Sequence, residues 1–582
     1  MALLQNGSVH VSAVRRGADG QRILCEATAK VPSETLSLDI GEGDRASIDY
    51  YAEFFDGTGA RVASGSLLAS SADVAPSTET PTLHMFSASS WSCPPSKLNH
   101  ARAFHSATML PNGEVLLVGG VEALGGYGAD VFGVMETVEV YDPRRATFTP
   151  VTAPTGTIGA RAFHNIAVLD SSGSTVRLVI YGGVTSPVGQ PALFVPDSPT
   201  QLRLMPGGSA EPGGSQLLVY DTVQHSLTAT AIDATHKTAF AAGAALPGGG
   251  LLAIGGASFN KTLPFGRSNP AMFTAVTDAA TFSVSSPGSS AAPSPVFVTG
   301  GGSAPWLLGA TATPLSTTTA LVLGAKLPPD SPSKMQALAL QALPGITQFP
   351  ASQAVAGPST VFHTATRLGP SISASTPNGD TQILVTGGFE QDTAPPYSTR
   401  QPPAVADAVR LYTVSDSAGT LSPIGFTALT TYKPSVCGMA DSHYRPAGFE
   451  AATATQSGKQ VLITGGTPTV ATAGCVDCEP TDTASNKLLC VLRQASLFDA
   501  TTQAFTAVPN MPLGRMGHQQ TRLSDGNILV TGGLVRPSGG TTAATAEAEI
   551  YNPVSLATGA PDPNDPLTAL RASGAPSECS RL

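Results

Sequence analysis

The chain has 582 residues, of which 41% are hydrophobic and only 12% charged, with 61 glycines and 48 prolines. That balance suits an extensive, turn-rich β core; it excludes global disorder and points away from helical proteins, which use far more Glu, Lys and Arg. The net charge of −10 excludes nucleic acid as a general partner, since phosphate binding needs a basic face. No apolar run reaches the roughly 18 residues of a membrane span, and "MALLQNGSVH" lacks the charged and apolar regions of a signal peptide.

Strand-like runs open the chain: "SVHVSAV" (8–14), "RILCEATAKV" (22–31), "TLSLDI" (35–40), "ASIDYYAEFF" (46–55) and "ARVASGSLL" (60–68). Turn clusters such as "GADG" and "DGTG" separate them. They predict a small β-sandwich over 1–69, of immunoglobulin-like or transthyretin-like type, with Cys25 as a core residue of one strand. Residues 70–84 read as a linker. "MFSASSWSCPPSKL" (85–98) then reads as the outermost strand of a repeat unit, with Trp91 in a bulky position but no inner strands beside it in sequence.

The repeats follow. "VLLVGG" (115–120), "LVIYGG" (178–183), "LLAIGG" (251–256), "ILVTGG" (383–388), "VLITGG" (461–466) and "ILVTGG" (528–533) place diglycines at spacings of 63, 73, 132, 78 and 67 residues. The doubled gap predicts a degenerate copy, and "TTALVLGA" (318–325) lies at its middle, making seven units. "VFVTGG" (296–301) falls too early for a unit and reads as the outer strand of the third. Upstream of each diglycine lies a second apolar strand, usually opened by a histidine, as in "RAFHSATML" (102–110), "RAFHNIAVL" (161–169) and "RMGHQQTRL" (515–523). A hairpin turn joins the two strands. Downstream come an aromatic, a polar turn and a bulky residue seven positions on, as in "YDPRRATF" (141–148) and "FDATTQAF" (498–505). Four short antiparallel strands per unit, stacked radially so that each sheet covers its neighbour, are the physical solution for such a pattern.

The order His, turn, "ILVTGG", Tyr-Asp and bulky residue resembles the kelch motif, over about 102–560, and seven such units resemble the galactose-oxidase-type propeller. The resemblance implies an all-β fold, a seven-bladed kelch-type β-propeller over 85–560 behind the small sandwich, with 561–582 as a C-terminal tail. The sandwich resembles the modules that precede kelch propellers in exported bacterial proteins. Residues 85–98 would close the ring by completing the last blade.

Long insertions gather on one propeller face: 184–215, 389–407, 430–444 and 467–486. The polar and aromatic residues Tyr397, Arg400, Asp441, His443, Tyr444, Arg445 and Glu450 are candidate binding residues there. His105, His164, His236, His363 and His518 occupy equivalent motif positions, so they should ring the axis as a repeated packing or hydrogen-bonding device rather than as a metal site. Glu450 takes the His place in the sixth blade. The seven cysteines cannot all pair internally. Cys437, Cys475, Cys478 and Cys490 suit disulfides, free thiols or a four-thiolate zinc site, and Cys93 and Cys579 could meet near the ring seam.

Galactose oxidases hold copper with two histidines and two tyrosines, one cross-linked to cysteine. His443–Tyr444 reverses the family's order, and no histidine follows His518 to supply the C-terminal ligand. The expectation is therefore no catalytic residue, no metal and no cofactor. The chain reads as a non-enzymatic binding protein, presenting a loop-rich face to a protein or glycan outside the cytoplasm, at a cell surface or secreted. A carbohydrate-oxidase-like enzyme and a purely structural surface subunit stand as alternatives.

Overall fold

Short turns between apolar runs leave each repeat little choice but an antiparallel meander. The computed structural model describes residues 7–31, 48–67, 83–123, 132–186, 192–259, 273–283, 295–298, 309–325, 335–341, 353–369, 380–390, 409–429, 449–466, 491–535, 542–554, 564–572 and 577–578, apart from gaps of five residues or fewer within these ranges. Among the described residues, six four-stranded meanders follow one another, and a seventh four-stranded sheet completes the set. The first comprises Ser106–Met109, Val115–Val118, Val138–Asp142 and Thr147–Pro150. The degenerate copy forms the fourth, with Thr319–Ala325 as its second strand, and Val296–Val298 is the outer strand of the third. Each innermost strand touches the next, and Gln519–Arg522 of the seventh touches Ser106–Met109 of the first, so the sheets close into a propeller.

Closure explains the continuous apolar runs. The second strands Val115–Val118, Leu251–Ile254 and Ile528–Thr531 are buried at every position because a neighbouring blade covers each face. Between blades one and two, Leu116, Val118 and Val140 pack on Leu178, Ile180 and Leu218. Each such side chain contributes about 1.5–3 kcal/mol when fully buried. The third-to-fourth-strand turn is set by aspartate: Asp499 accepts the backbone N–H groups of Thr501 and Thr502, both at 2.9 Å, and Gln503 takes φ 52°. The aromatic and the bulky residue of that motif then meet across the turn, Tyr141 on Phe148 with ring centroids 4.8 Å apart.

The seventh blade lacks a fourth strand downstream and takes Ser90–Ser92 from the other end of the chain. Trp91 lies opposite Tyr551, with centroids 5.0 Å apart, in the role its spacing predicts. The stretch 85–98 serves two sheets, however. His84–Ser87 pairs with Arg61–Leu67, so the N-terminal sheet extends past the expected linker.

That N-terminal sheet runs in the order Ser577–Glu578, Gly20–Lys30, Ser8–Gly17, Ile48–Phe55, Arg61–Leu67, His84–Ser87. The expected strand 35–40 lies outside the described residues. Where a sandwich would place a second sheet, the described residues place the helix Pro566–Ala572, with Leu567 packed on Val14 and Tyr51. The segment expected as a plain tail is thus a structural strap. Arg571 donates from Nε to Glu26 at 3.0 Å and from Nη2 to Glu53 at 2.7 Å, while Glu53 also pairs with Arg61.

Candidate functional site

The start of each innermost strand and the end of each second strand lie at the same end of a blade, where the long insertions also emerge. Five phenylalanines precede the innermost strands there, Phe104, Phe163, Phe240, Phe362 and Phe449, all with φ between 53° and 58°. The left-handed turn aims each ring inward. Their centroids form a closed circuit: 4.4 Å from Phe104 to Phe163, then 5.1, 5.7 and 5.3 Å on to Phe449, and 5.1 Å back to Phe104. In blades four and seven the equivalent residues are Gly309 and Gly517, at φ 58° and 61°. A Cβ on Gly517 would stand 2.4 Å from the Phe104 ring. Backbone bonds link these positions around the axis, among them Phe104 N–H to Gly517 O at 2.7 Å and Gly517 N–H to Phe449 O at 3.0 Å. The axis at this end is therefore filled with hydrocarbon.

The next residue in four blades is a histidine. His105 Nε2 meets Thr531 Oγ1 at 2.9 Å, His164 Nε2 meets Ser106 Oγ at 2.8 Å, His363 Nε2 meets Thr311 Oγ1 at 2.9 Å, and His518 Nε2 meets Thr464 Oγ1 at 2.7 Å. Each partner belongs to the preceding blade. Burial drives the His164 and His363 pKa values down to about 3, with the charges of Arg161 and Arg410 adding to it, and lowers those of His105 and His518 well below the usual value. All four are neutral imidazoles at neutral pH. Glu450 occupies the sixth-blade position and bonds Thr386 of blade five in the same way.

His236 does not belong to this ring. It lies on the outer strand Ser226–Thr238 of blade two, bonded to Asp233 at 2.7 Å and stacked on Phe297 at 3.8 Å. The third-blade position falls to Ala241, directly after Phe240. The repeat fixes a distance from the phenylalanine, and His236, four residues before Phe240, lies outside that register.

Buried arginines form a second repeated set, whose sequence signal is the first letter of "RAFH" and "RMGH". Arg102 Nη1 donates to Gly119 O at 2.8 Å and its Nη2 to Glu139 at 2.6 Å; Arg515 does the same to Gly532 O, at 2.8 Å, and Glu549, at 2.6 Å. Arg161 reaches Gly182 O at 3.5 Å and Gln216 at 2.8 Å. Thr238 and Gln494 cap Gly255 O and Gly465 O in the third and sixth blades. In blades one, six and seven the second glycine then bonds the next blade, with Gly120 N–H to Arg161 O at 2.8 Å, Gly466 N–H to Arg515 O at 2.9 Å and Gly533 N–H to Arg102 O at 2.8 Å. A Cβ at Gly119 would come within 2.2 Å of Arg161 O, and its φ of 61° is left-handed, so glycine fits this position where a side chain would clash.

Of the expected loop-face residues, Tyr397, Arg400, Asp441, His443, Tyr444 and Arg445 lie outside the described residues, as do Cys437, Cys475, Cys478, Cys490 and Cys579. Cys93 is a free, exposed thiol rather than half of a disulfide at the seam. Cys25, expected only as core, is disulfide-bonded. The insertion 184–215 is not merely a loop. Ala192–Ser198 and Gln201–Gly208 form a hairpin whose first strand pairs with Phe132–Val134, building a four-stranded sheet over the first two blades.

No protein-family model matches the chain, and no curated protein does. Among solved structures, that of YjhT aligns over 77% of this chain and 95% of its own at 11% identity, TM-score 0.37. A fungal alcohol oxidase of the AA5 family, solved in complex with copper, aligns over 79% of this chain and 75% of its own at 11% identity, TM-score 0.44. Neither likeness is close enough to bear on fold or function, and the propeller assignment stands on the strand order and ring contacts above.

Proposed function

We propose that the chain is a non-enzymatic binding protein that presents the insertion-rich end of its propeller to a protein or glycan ligand outside the cytoplasm. The observation that carries this reading is the committed axis. Five phenyl rings fill it, and the histidines around them are neutral and bonded from blade to blade, so the inward positions serve cohesion. Binding chemistry is then left to the surrounding insertions, of which the hairpin 192–208 is built as ordered sheet. The Cys25 disulfide supports an oxidising compartment.

The hairpin gives the test. It pairs with the rest of the chain through Phe132 and Gly133, so residues 190–209 can be replaced by a short Gly/Ser linker without breaking a blade. On a glycan array and in pulldowns from the native secretome, the shortened chain should lose at least tenfold of its binding while its melting temperature stays within a few degrees. Unchanged binding overturns the role given to this face. Stoichiometric copper with a radical absorbance in the purified protein would overturn the non-enzymatic reading.

A further inference from the structure

The outer strand of every blade is a sheet edge, and natural proteins blunt such edges by keeping them short or by adding proline or charge. Among the described residues, the outer strands of six blades are two to four residues long, and that of blade one ends on Pro150. Blade two departs from this. Its outer strand Ser226–Thr238 has 13 residues. The run "SLTATAI" (226–232) carries no charge and no proline, and its Thr and Ile favour strand pairing.

Backbone groups alternate between the two edges of a strand, and Leu227 fixes the phase here. Its N–H donates outward to Thr152 O at 2.9 Å, and Thr152 N–H donates to His225 O at 2.8 Å, a single bridge from the end of blade one. The next outward groups are those of Ala229 and Ala231, while Thr228 and Thr230 pair inward with Val219 and Leu217. Among the described residues no hydrogen bond reaches the outward groups of Ala229 and Ala231, and Thr228, Thr230 and Ala231 are exposed. Further on the edge is closed. The register shifts at Asp233, whose carboxylate accepts the N–H groups of Thr235 and His236 at 3.0 and 2.9 Å, and the His236 ring stacks on Phe297 of blade three. The open groups thus lie symmetrically about Thr230, with an occupied residue on one side and an irregular strand on the other.

We propose that this edge pairs antiparallel with the same edge of a second copy of the chain, about a two-fold axis through Thr230. Ala229 of each copy exchanges N–H···O bonds with Ala231 of the other, and the two Thr230 side chains face each other at the non-hydrogen-bonded position between them. Sliding the pairing along the strand in either direction spends an amide pair on Leu227, which Thr152 already holds, or on Asp233, where the register breaks. The axis is therefore fixed. No charge lies within 226–232, so the copies meet no like charge there although each carries a net −10. Ser226–Thr238 runs from the turn end of its blade toward the insertion-rich end, so antiparallel pairing points the two insertion-rich ends in opposite directions. On the binding role proposed above, the dimer bridges two ligands instead of gripping one.

Sedimentation of the full chain without ligand tests the pairing. At about 10–100 μM the wild type should sediment as a dimer. Thr230→Lys sets two like charges face to face on the axis, and Ala231→Pro removes an outward N–H that no inward bond uses. Each should weaken dimerisation by about tenfold or more, with the melting temperature of the monomer within a few degrees of the wild type's. A wild type that is monomeric throughout overturns the proposal, and so does a dimer that either folded variant leaves intact. Crosslinking then reads the register, and it decides alone should both variants fail to fold. Residues facing each other at a non-hydrogen-bonded position have Cα atoms about 4.5 Å apart, within disulfide reach. In a Cys93→Ser background, Thr230→Cys should therefore form an intermolecular disulfide in air, and Thr235→Cys, on the same strand but off the axis, should not. Equal crosslinking of the two, or none in either, overturns the pairing. Ligand binding is not read in any of these measurements, so their outcome stands apart from that of the hairpin replacement.

Discussion

Arg102 puts a full charge where water does not reach, and only its surroundings make that tolerable. Its guanidinium meets the carbonyls of Gly119 and Thr137 and the carboxylate of Glu139, with neither side chain exposed. Removing one partner strands the other, so Arg102→Met should cost about 3–5 kcal/mol in denaturant unfolding. The double variant R102M/E139L should cost clearly less than the two single changes summed, since it strands nothing. The histidines make a parallel statement about pH. With folded pKa values of about 3 for His164 and His363 against an ordinary value near 6.5, the unfolded chain takes up more protons on acidification. Stability is therefore complete above about pH 6.5 and falls progressively as pH drops toward 3. His164→Gln and His363→Gln should each flatten that fall in a pH series of urea melts.

At the scale of the strand and its turn, much was legible because the constraint is local and repeated. A diglycine ending an apolar run, or an aspartate opening a turn, needs only neighbours in sequence to be understood. The aromatic ring was not legible in the same way. "RAFH" and "TAFA" share a phenylalanine whose backbone is left-handed, and nothing in the letters announces that conformation. It emerges from seven strand starts meeting at an axis, where five positions hold rings and two cannot. The misassigned His236 has the same origin, since the residue type was legible and the register was not. Gly517→Ala should accordingly be costly, combining the left-handed strain of about 1–2 kcal/mol with overpacking of about 1–3 kcal/mol against the Phe104 ring. Gly59→Ala shares the positive φ, at 82°, but meets open space, so it should lose only the strain component. Equal losses in urea melts of the two would show that the ring is loosely packed.

Across the whole molecule, the two ends of the chain hold the wheel shut. The N-terminal side gives blade seven its outer strand through Ser90–Ser92, and the C-terminal side returns as a helix and a short strand on the N-terminal sheet. Asn552 of blade seven binds Ser64 at 2.8 Å and the Phe86 carbonyl at 2.9 Å, so sheet and propeller share one seam. The closing strand was legible from the bulky spacing at Trp91, but the strap was not: a Pro/Asp-rich ending looks like a tail until its seven-residue helix finds Val14 and Tyr51. Arg571 is the pivot of the strap. Burial alone would raise the Glu26 and Glu53 pKa values, but hydrogen bonds and the Arg571 charge outweigh it and hold both below the ordinary range. Such carboxylates stabilise the fold above about pH 4.5 and lose that contribution as pH falls through their lowered values. Arg571→Ala should therefore destabilise the protein at pH 7 and steadily less below pH 4. Covalent closure is expected beside it. Ser577 and Glu578 run parallel to Cys25 and Glu26, and the residue that follows Glu578 in sequence is Cys579, the only cysteine after Cys490. Non-reducing peptide mapping should join Cys25 to Cys579 and leave Cys93 alkylatable without reductant. If that bond is the clasp, reduction should lower the melting temperature of the wild type while leaving a Cys25→Ser/Cys579→Ser variant unmoved. A wild type indifferent to reductant would mean that packing of the strap alone keeps the ring closed.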